Sequence, residues 1–253
     1  MLGRRLSALA GLTRSVWIYR LDAAHRRAMD QLYRRFVPPG GLAFDVGAHV
    51  GDRVACFLRL GANVVAVEPQ PGPMAVLRLA HGRDRRVALV RTAVLDSAGT
   101  VKLAVNTANP TVSTVSREFI AAASGAPGWA EQAWDDEIVV DAVTLDDLIA
   151  RFGAPAFVKI DVEGCEDRVL AGLSTPLPAL SFEFTTIQRQ VASRCLERLV
   201  RLGPYRFDVA LGENQRLEFG RFVDAETMVA YLKGLPQAAN SGDVFALNGD
   251  IAG

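Results

Sequence analysis

Phe44-Asp45-Val46-Gly47-Ala48-His49-Val50-Gly51-Asp52, followed by Asn63-Val64-Val65-Ala66-Val67-Glu68-Pro69, is the stretch whose reading decides the fold. An apolar run from Leu42 to Val46 carries a carboxylate and meets a glycine turn. A helical pattern then resumes through Val54, Cys56, Phe57, Leu58 and Leu60. This is strand, tight turn, helix. Gly61 closes the helix, and a second apolar run ends on the acid Glu68. The arrangement predicts a nucleoside crevice. Gly47 and Gly51, with Ala48 between them, let backbone approach a ligand and leave amides of the helix start facing it. Glu68, at the end of the second strand, is placed to accept hydrogen bonds from two ribose hydroxyls, with Pro69 beside it. The competing reading is an ordinary strand–helix turn with structural glycines.

Spacing narrows the ligand. A dinucleotide fingerprint needs G-x-G-x-x-G, and here the pattern is Gly47-x-x-x-Gly51 with His49 in the middle. Asp45 at the mouth of the turn repels a phosphate. It suits a ligand carrying an ammonium and a sulfonium, as S-adenosylmethionine does.

The chain has 253 residues, half of them hydrophobic, which is enough for one sizeable α/β core. Its formal net charge of zero gives no broad electrostatic footprint for nucleic acid. Cys56, Cys165 and Cys195 are far apart, form no C-x-x-C and fall in helical stretches, so they are expected to be buried reduced thiols. No apolar run is long enough to span a bilayer, and a cytoplasmic enzyme is expected.

Residues 1–40 form a basic leader ahead of a domain over 41–253. The series Trp17, Leu21, Ala24, Ala28, Leu32 and Phe36 advances by three or four, with Asp22/Arg26 and Asp30/Arg34 as i,i+4 pairs. The leader therefore reads as an amphipathic helix halted by Pro38-Pro39-Gly40-Gly41. It either packs on the domain, over the cofactor cleft, or docks on a membrane surface through its arginines and Trp17.

Downstream, residues 73–80 read as a helix, Val87 to Val90 as a strand, and Val101, Leu103 and Val105 as alternate positions of a half-exposed strand. Residues 106–136, with Asn-Pro and Gly125-Ala126-Pro127-Gly128, read as an excursion over the cleft. A strand over 138–143 leads to Thr144-Leu145-Asp146-Asp147, a helix cap with an acid at its third position. Next comes Ala156-Phe157-Val158-Lys159-Ile160-Asp161-Val162-Glu163-Gly164. Alternation puts Lys159, Asp161 and Glu163 on one side. Charges in a central strand are costly unless paired or functional, and strand ends are where open α/β sheets bind ligands. The structural reading is a Lys159–Asp161 pair with Glu163 capping the next helix. Glu183 is another carboxylate, near the end of the strand over 179–184. The stretches 207–211, 216–219 and 244–247 read as late strands, with helices over 187–202 and 225–233. The pattern predicts a mainly parallel sheet with an antiparallel edge.

These two centres together resemble the FkbM family of S-adenosylmethionine-dependent methyltransferases. The matching residues are 44–51, Val67-Glu68-Pro69, Thr144-Leu145-Asp146 and Val158 to Glu166, with Val169-Leu170 and Glu183 beyond. The resemblance implies a class I methyltransferase fold, Rossmann-like and α/β: seven strands, mainly parallel with the last antiparallel, and helices on both faces. It implies that Asp45 and Gly47 line the methionine end, that Glu68 holds the ribose, and that the Lys-Ile-Asp-Val-Glu-Gly segment borders the transfer site. His49 stands where that family would have Asn; both hydrogen-bond, and His49 is assigned to the cofactor. The leader and residues 106–136 lie largely outside the resemblance, and acceptor choice is assigned there.

The expected reaction is O-methylation of a sugar, glycan or secondary-metabolite hydroxyl by in-line displacement, a matter of positioning plus a base within reach of the hydroxyl. Asp161 is the first choice as base, then Glu163, with Glu183 as a further candidate. Two such carboxylates also suit a divalent metal, but no His joins them and no metal site is assigned. A nicotinamide-dependent oxidoreductase and a non-catalytic cofactor-binding module are the alternatives.

Overall fold

The computed structural model describes residues 23–249. Trp17 and Leu21 of the leader lie outside the described residues. The described residues begin with α1 (Ala23–Tyr33), followed by β1 (Leu42–Val46), α2 (Asp52–Arg59), β2 (Asn63–Val67), α3 (Pro71–His81) and β3 (Val87–Val90). Then come β4 (Ala93–Val94), β5 (Gly99–Val105), α4 (Arg117–Ala123), β6 (Asp136–Val143), α5 (Leu145–Phe152) and β7 (Phe157–Ile160). The last elements are α6 (Glu166–Ala171), β8 (Ala179–Thr185), α7 (Arg189–Leu202), β9 (Tyr205–Leu211), α8 (Ala225–Gly234) and β10 (Ser241–Asn248).

Seven strands form one sheet in the order β3-β2-β1-β7-β8-β10-β9. Neighbours from β3 to β8 run parallel, and β10 runs antiparallel to both β8 and β9. This is the class I methyltransferase arrangement, with the last strand antiparallel. The antiparallel strand is not at the edge, as the pattern of late strands suggested. It inserts between β8 and β9, and Val244, Phe245 and Ala246 are all fully buried.

Alternation along the strands divides the core in two. Phe44, Val46, Val158, Ile160 and Phe182 face α5 to α8. Ala43, Phe157, Ala179 and Phe245 face α1, α2 and α3. Helices therefore cover both faces, as the near-continuous apolar runs of a parallel sheet require. The described part of the leader is held on the second face, where Met29, Leu32 and Tyr33 are buried. Tyr33 packs edge-on against Phe57 and Phe157, at centroid distances of 5.2 and 5.6 Å. Each fully buried side chain of this size contributes about 1.5–3 kcal/mol. The helix thus lies on the sheet, not over the cleft, and it ends at Tyr33, before the Pro-Pro-Gly-Gly stop.

β4, β6 and β5 form a separate three-stranded sheet, in which Val101 pairs with Val140 and Leu103 with Ile138. Residues 216–219 are not a strand. Only a single bridge, Ala210 to Leu217, forms there on the outer edge of β9, and Phe219 N donates to the Asp208 carboxylate at 3.0 Å instead of to a ladder carbonyl. The Thr144 cap is present: its hydroxyl accepts from Asp147 N, and the Asp147 carboxylate accepts from Thr144 N. The three cysteines are free and buried, although Cys165 caps α6 instead of lying within it. Among the described residues no helix is long and apolar enough to cross a membrane.

Candidate active site

The cleft lies over the carboxyl ends of β1, β2, β7 and β8 and encloses a cavity of about 370 Å³. That is the lower range of small-molecule sites. On its first side the glycine turn is fixed by two bonds, Gly47 N and Ala48 N donating to Val67 O at 2.9 and 3.0 Å. Gly47 has φ of +87°, and a Cβ there would collide with the carbonyl oxygen of Asp161. Asp161 N in turn donates to Val46 O at 2.9 Å. Gly47 is thus the point at which the two chemical centres touch, and only glycine fits both its conformation and its space. Gly51, also at φ +87°, serves packing: its Cβ would stand 2.7 Å from Leu77, and it does not line the cavity.

Glu68 is buried, and each oxygen already has one backbone donor. Oε2 accepts from His49 N at 3.0 Å and Oε1 from Gln70 N at 2.8 Å. A carboxylate has about four acceptor positions, so two remain for hydroxyls of a ligand. Burial pushes its carboxyl up to about 7 against the pull of those amides. Gln70 extends the same construction: its amide donates to Pro110 O at 3.0 Å and accepts from Ser113 Oγ at 3.0 Å. These bonds pin residues 110–113 to the end of β2, and Thr111, Val112 and Ser113 line the cavity. The excursion therefore does reach the cleft. Gln70 and Ser113 were not foreseen; the only signal was Gln70's position directly after Glu68-Pro69.

Asp45 does not line the main cavity. It opens on an adjoining space of about 80 Å³ with Ala48, Arg53, Lys159 and Asp161, while Gly47, His49 and Asp161 border both. Its Oδ2 is buried without a hydrogen-bond partner, and burial raises its carboxyl to about 7 although Lys159 and Arg53 oppose this. The His49 ring nitrogen Nε2 is likewise unpartnered, and burial lowers the imidazole to about 4, so it is neutral near pH 7. Pro69 lines the main cavity.

On the other side, Asp161, Glu163 and Glu183 come together, one carboxylate oxygen of each lying within 4.8 Å of the others. β7 ends at Ile160, and Glu163 takes φ of +57°, so this convergence is made by a turn and not by strand alternation. The ion pair of the structural reading is present and doubled. Lys159 Nζ donates to Asp161 Oδ2 at 3.0 Å and to Asp243 Oδ1 at 2.7 Å, with Lys159 only 1% exposed. Glu163 does not cap the next helix. Glu166, the first residue of that helix, instead reaches back to the turn before it, accepting from Val162 N and Gly164 N at 3.1 Å. Burial is the largest single influence and works to raise Asp161, but the charge and hydrogen bond of Lys159, with Arg53 and Glu183 adding to them, together hold the carboxyl below the usual range. Burial, with the Asp161 charge adding to it, lifts Glu163 and Glu183 well above theirs. Asp161 is therefore the carboxyl of the three most readily ionised. Three oxygen donors at this spacing would also suit a hard divalent cation.

The family described as "Methyltransferase FkbM domain" matches residues 45–201. The 31-O-demethyl-FK506 methyltransferase FkbM of Streptomyces tacrolimicus is 34% identical over 160 residues, covering 53% of this chain and 60% of that protein. The hexuronic acid methyltransferase AglP of Haloferax volcanii is 26% identical over 162 residues, covering 62% and 60%. The matched region thus spans 60% of the length of each of these relatives. Among solved structures, an O-methyltransferase from Bacillus cereus in complex with SAH aligns with a TM-score of 0.48 at 8% identity, covering 98% of this chain and 91% of that one.

Proposed function

The chain belongs to the FkbM methyltransferase family, and from that premise we propose that it uses S-adenosylmethionine to O-methylate a hydroxyl of a sugar, glycan or secondary metabolite. The observation that carries this reading is the junction at Gly47, where the turn below Glu68 meets the backbone of Asp161 in one cavity. The names of the two relatives give their own acceptors, 31-O-demethyl-FK506 and a hexuronic acid, which support a metabolite or sugar acceptor here without fixing its charge. A nicotinamide cofactor loses its place with the family match.

The residues present fit the cofactor. Glu68 keeps acceptor positions free for ribose hydroxyls, and Asp45 Oδ2 and His49 Nε2 are buried polar atoms awaiting a partner. Gly47 and Ala48 supply the close backbone beside them, and Pro69 closes the wall next to Glu68. Bound S-adenosylmethionine supplies an electrophilic methyl group on a sulfonium. The chain's task is to place the acceptor oxygen and take its proton. Lys159 engages Oδ2 of Asp161, leaving Oδ1 to accept that proton. Glu163 and Glu183, lifted above the usual carboxyl range, hydrogen-bond the acceptor's polar groups and orient it.

The test is transfer of labelled methyl to a panel of hydroxyl acceptors, with Asp161→Asn beside the wild type. Loss of the base is expected to lower turnover by about 10²–10⁴-fold, with affinity for S-adenosylhomocysteine retained. Full turnover in the variant would refute the assignment of the base.

A further inference from the structure

Resting on the methyl-transfer reading, we propose that the acceptor is selected by charge: the cavity takes hydroxyl compounds bearing an ammonium group in preference to neutral ones, and turns away those bearing a carboxylate or phosphate. Among the described residues, every formally charged side chain lining the cavity is acidic, namely Glu68, Asp161, Glu163, Glu183 and Glu213, with no lysine or arginine beside them. The cations nearby are already engaged. Lys159 lies behind Asp161 and is shared with Asp243, and Arg53 is held by Asp52 and Glu213 at 3.0 Å each.

Facing the acceptor are Glu163 and Glu183, which no cation among the described residues pairs, beside Asp161. An ammonium acceptor supplies the counter-charge that this acidic wall lacks. A carboxylate or phosphate acceptor must instead bring its charge against Asp161 with no cation to receive it, in a cleft whose walls concentrate the field.

A second feature of the wall agrees. Trp129 borders the same cavity, braced edge-on by Phe119 at 5.2 Å, and indole is the best side-chain partner for a cation over its face. The remaining polar lining near Glu183 is uncharged: Thr185, Asn240 and Ser241.

The experiment uses the full chain saturated with S-adenosylhomocysteine, its binding verified first by calorimetry. Glucosamine, glucose and glucuronate, one skeleton with three charges, are then titrated and their dissociation constants measured by ligand-observed NMR. The expected order is glucosamine tightest and glucuronate weakest, the extremes at least about tenfold apart, as a unit charge a few ångströms from a partly buried carboxylate requires. In the double variant Glu163→Gln, Glu183→Gln the order should collapse while S-adenosylhomocysteine affinity holds. Glucuronate binding as well as or better than glucosamine, identical responses from all three with zero included, or an order that persists in the double variant would overturn charge selection. Failure of folded protein to bind S-adenosylhomocysteine would instead overturn the methyltransferase reading beneath it.

Discussion

At the β1–β2 end of the cleft, the donors to Glu68 come from two and nineteen positions away, whereas at the β7–β8 end Lys159 reaches Asp243 across 84 positions of chain. The first end is made of backbone: an amide from the turn after β1 and one from the stretch after β2 hold one carboxylate, and the side chains between matter little. The second is made of side chains drawn from three strands, in which one lysine holds two acids and leaves two more unpaired. Backbone construction suits a cofactor whose shape does not vary, while side-chain construction suits an acceptor whose identity does. The two meet at Gly47, so that residue is where the contrast is most easily broken.

Gly47→Ala should have the largest effect. Its Cβ cannot be placed without displacing the Asp161 backbone, and φ of +87° penalises any side chain, so both ends fail together. The expected outcome is a chain that folds poorly or melts far below the wild type by circular dichroism. A normal melting temperature would show that the two ends are not locked through this contact.

Lys159→Met should come next and act on the second end alone. Removing the cation leaves Asp161 and Asp243 facing each other without compensation, a loss of about 3–5 kcal/mol. Denaturant titration measures it, and adding Asp243→Asn should recover part of the loss. An additive double mutant would contradict the shared-lysine description.

The smallest effect belongs to the first end and is read from pH. Glu68 has a folded-state pKa raised to about 7, so the folded chain holds this proton more tightly than the unfolded one. The unfolded state therefore binds fewer protons between about pH 4.5 and 7, and stability falls as pH rises through that window. Between pH 5 and 8 the Glu68 share is about 2 kcal/mol, at 1.36 kcal/mol per unit. Melting of the ligand-free protein should show this fall, and Glu68→Gln should flatten it. Equal slopes in the two proteins would mean that Glu68 is not held as described.

The same contrast explains what could be read before the fold was seen. The strand Leu42–Val46, its glycine turn and Glu68 were legible because their period, turn chemistry and partners are local. The identities of Asp161, Glu163 and Glu183 were legible as carboxylates near strand ends, but not the turn that brings them together. Asp243 was not legible as a partner, since residues 241–248 do not say which strands lie on either side of them. One signal was there: Val244-Phe245-Ala246 is apolar on both faces, which marks an interior strand and not an edge. The separate sheet of β4, β6 and β5 was missed for the same reason. The register joining Val101 to Val140 is non-local, and alternation alone does not say which sheet a strand enters. Residues 216–219 show the converse, a strand pattern that makes only one bridge to the edge strand beside it.

The central claim is that Glu68 is the cofactor's anchor in a methyltransferase cleft. Isothermal titration of the full chain with S-adenosylhomocysteine, wild type against Glu68→Ala, tests it most directly. The account predicts micromolar binding that weakens at least about a hundredfold in the variant, since two hydrogen bonds to a charged group contribute about 1.5–3 kcal/mol each. No binding to well-folded wild-type protein, or equal binding in the two, would contradict it.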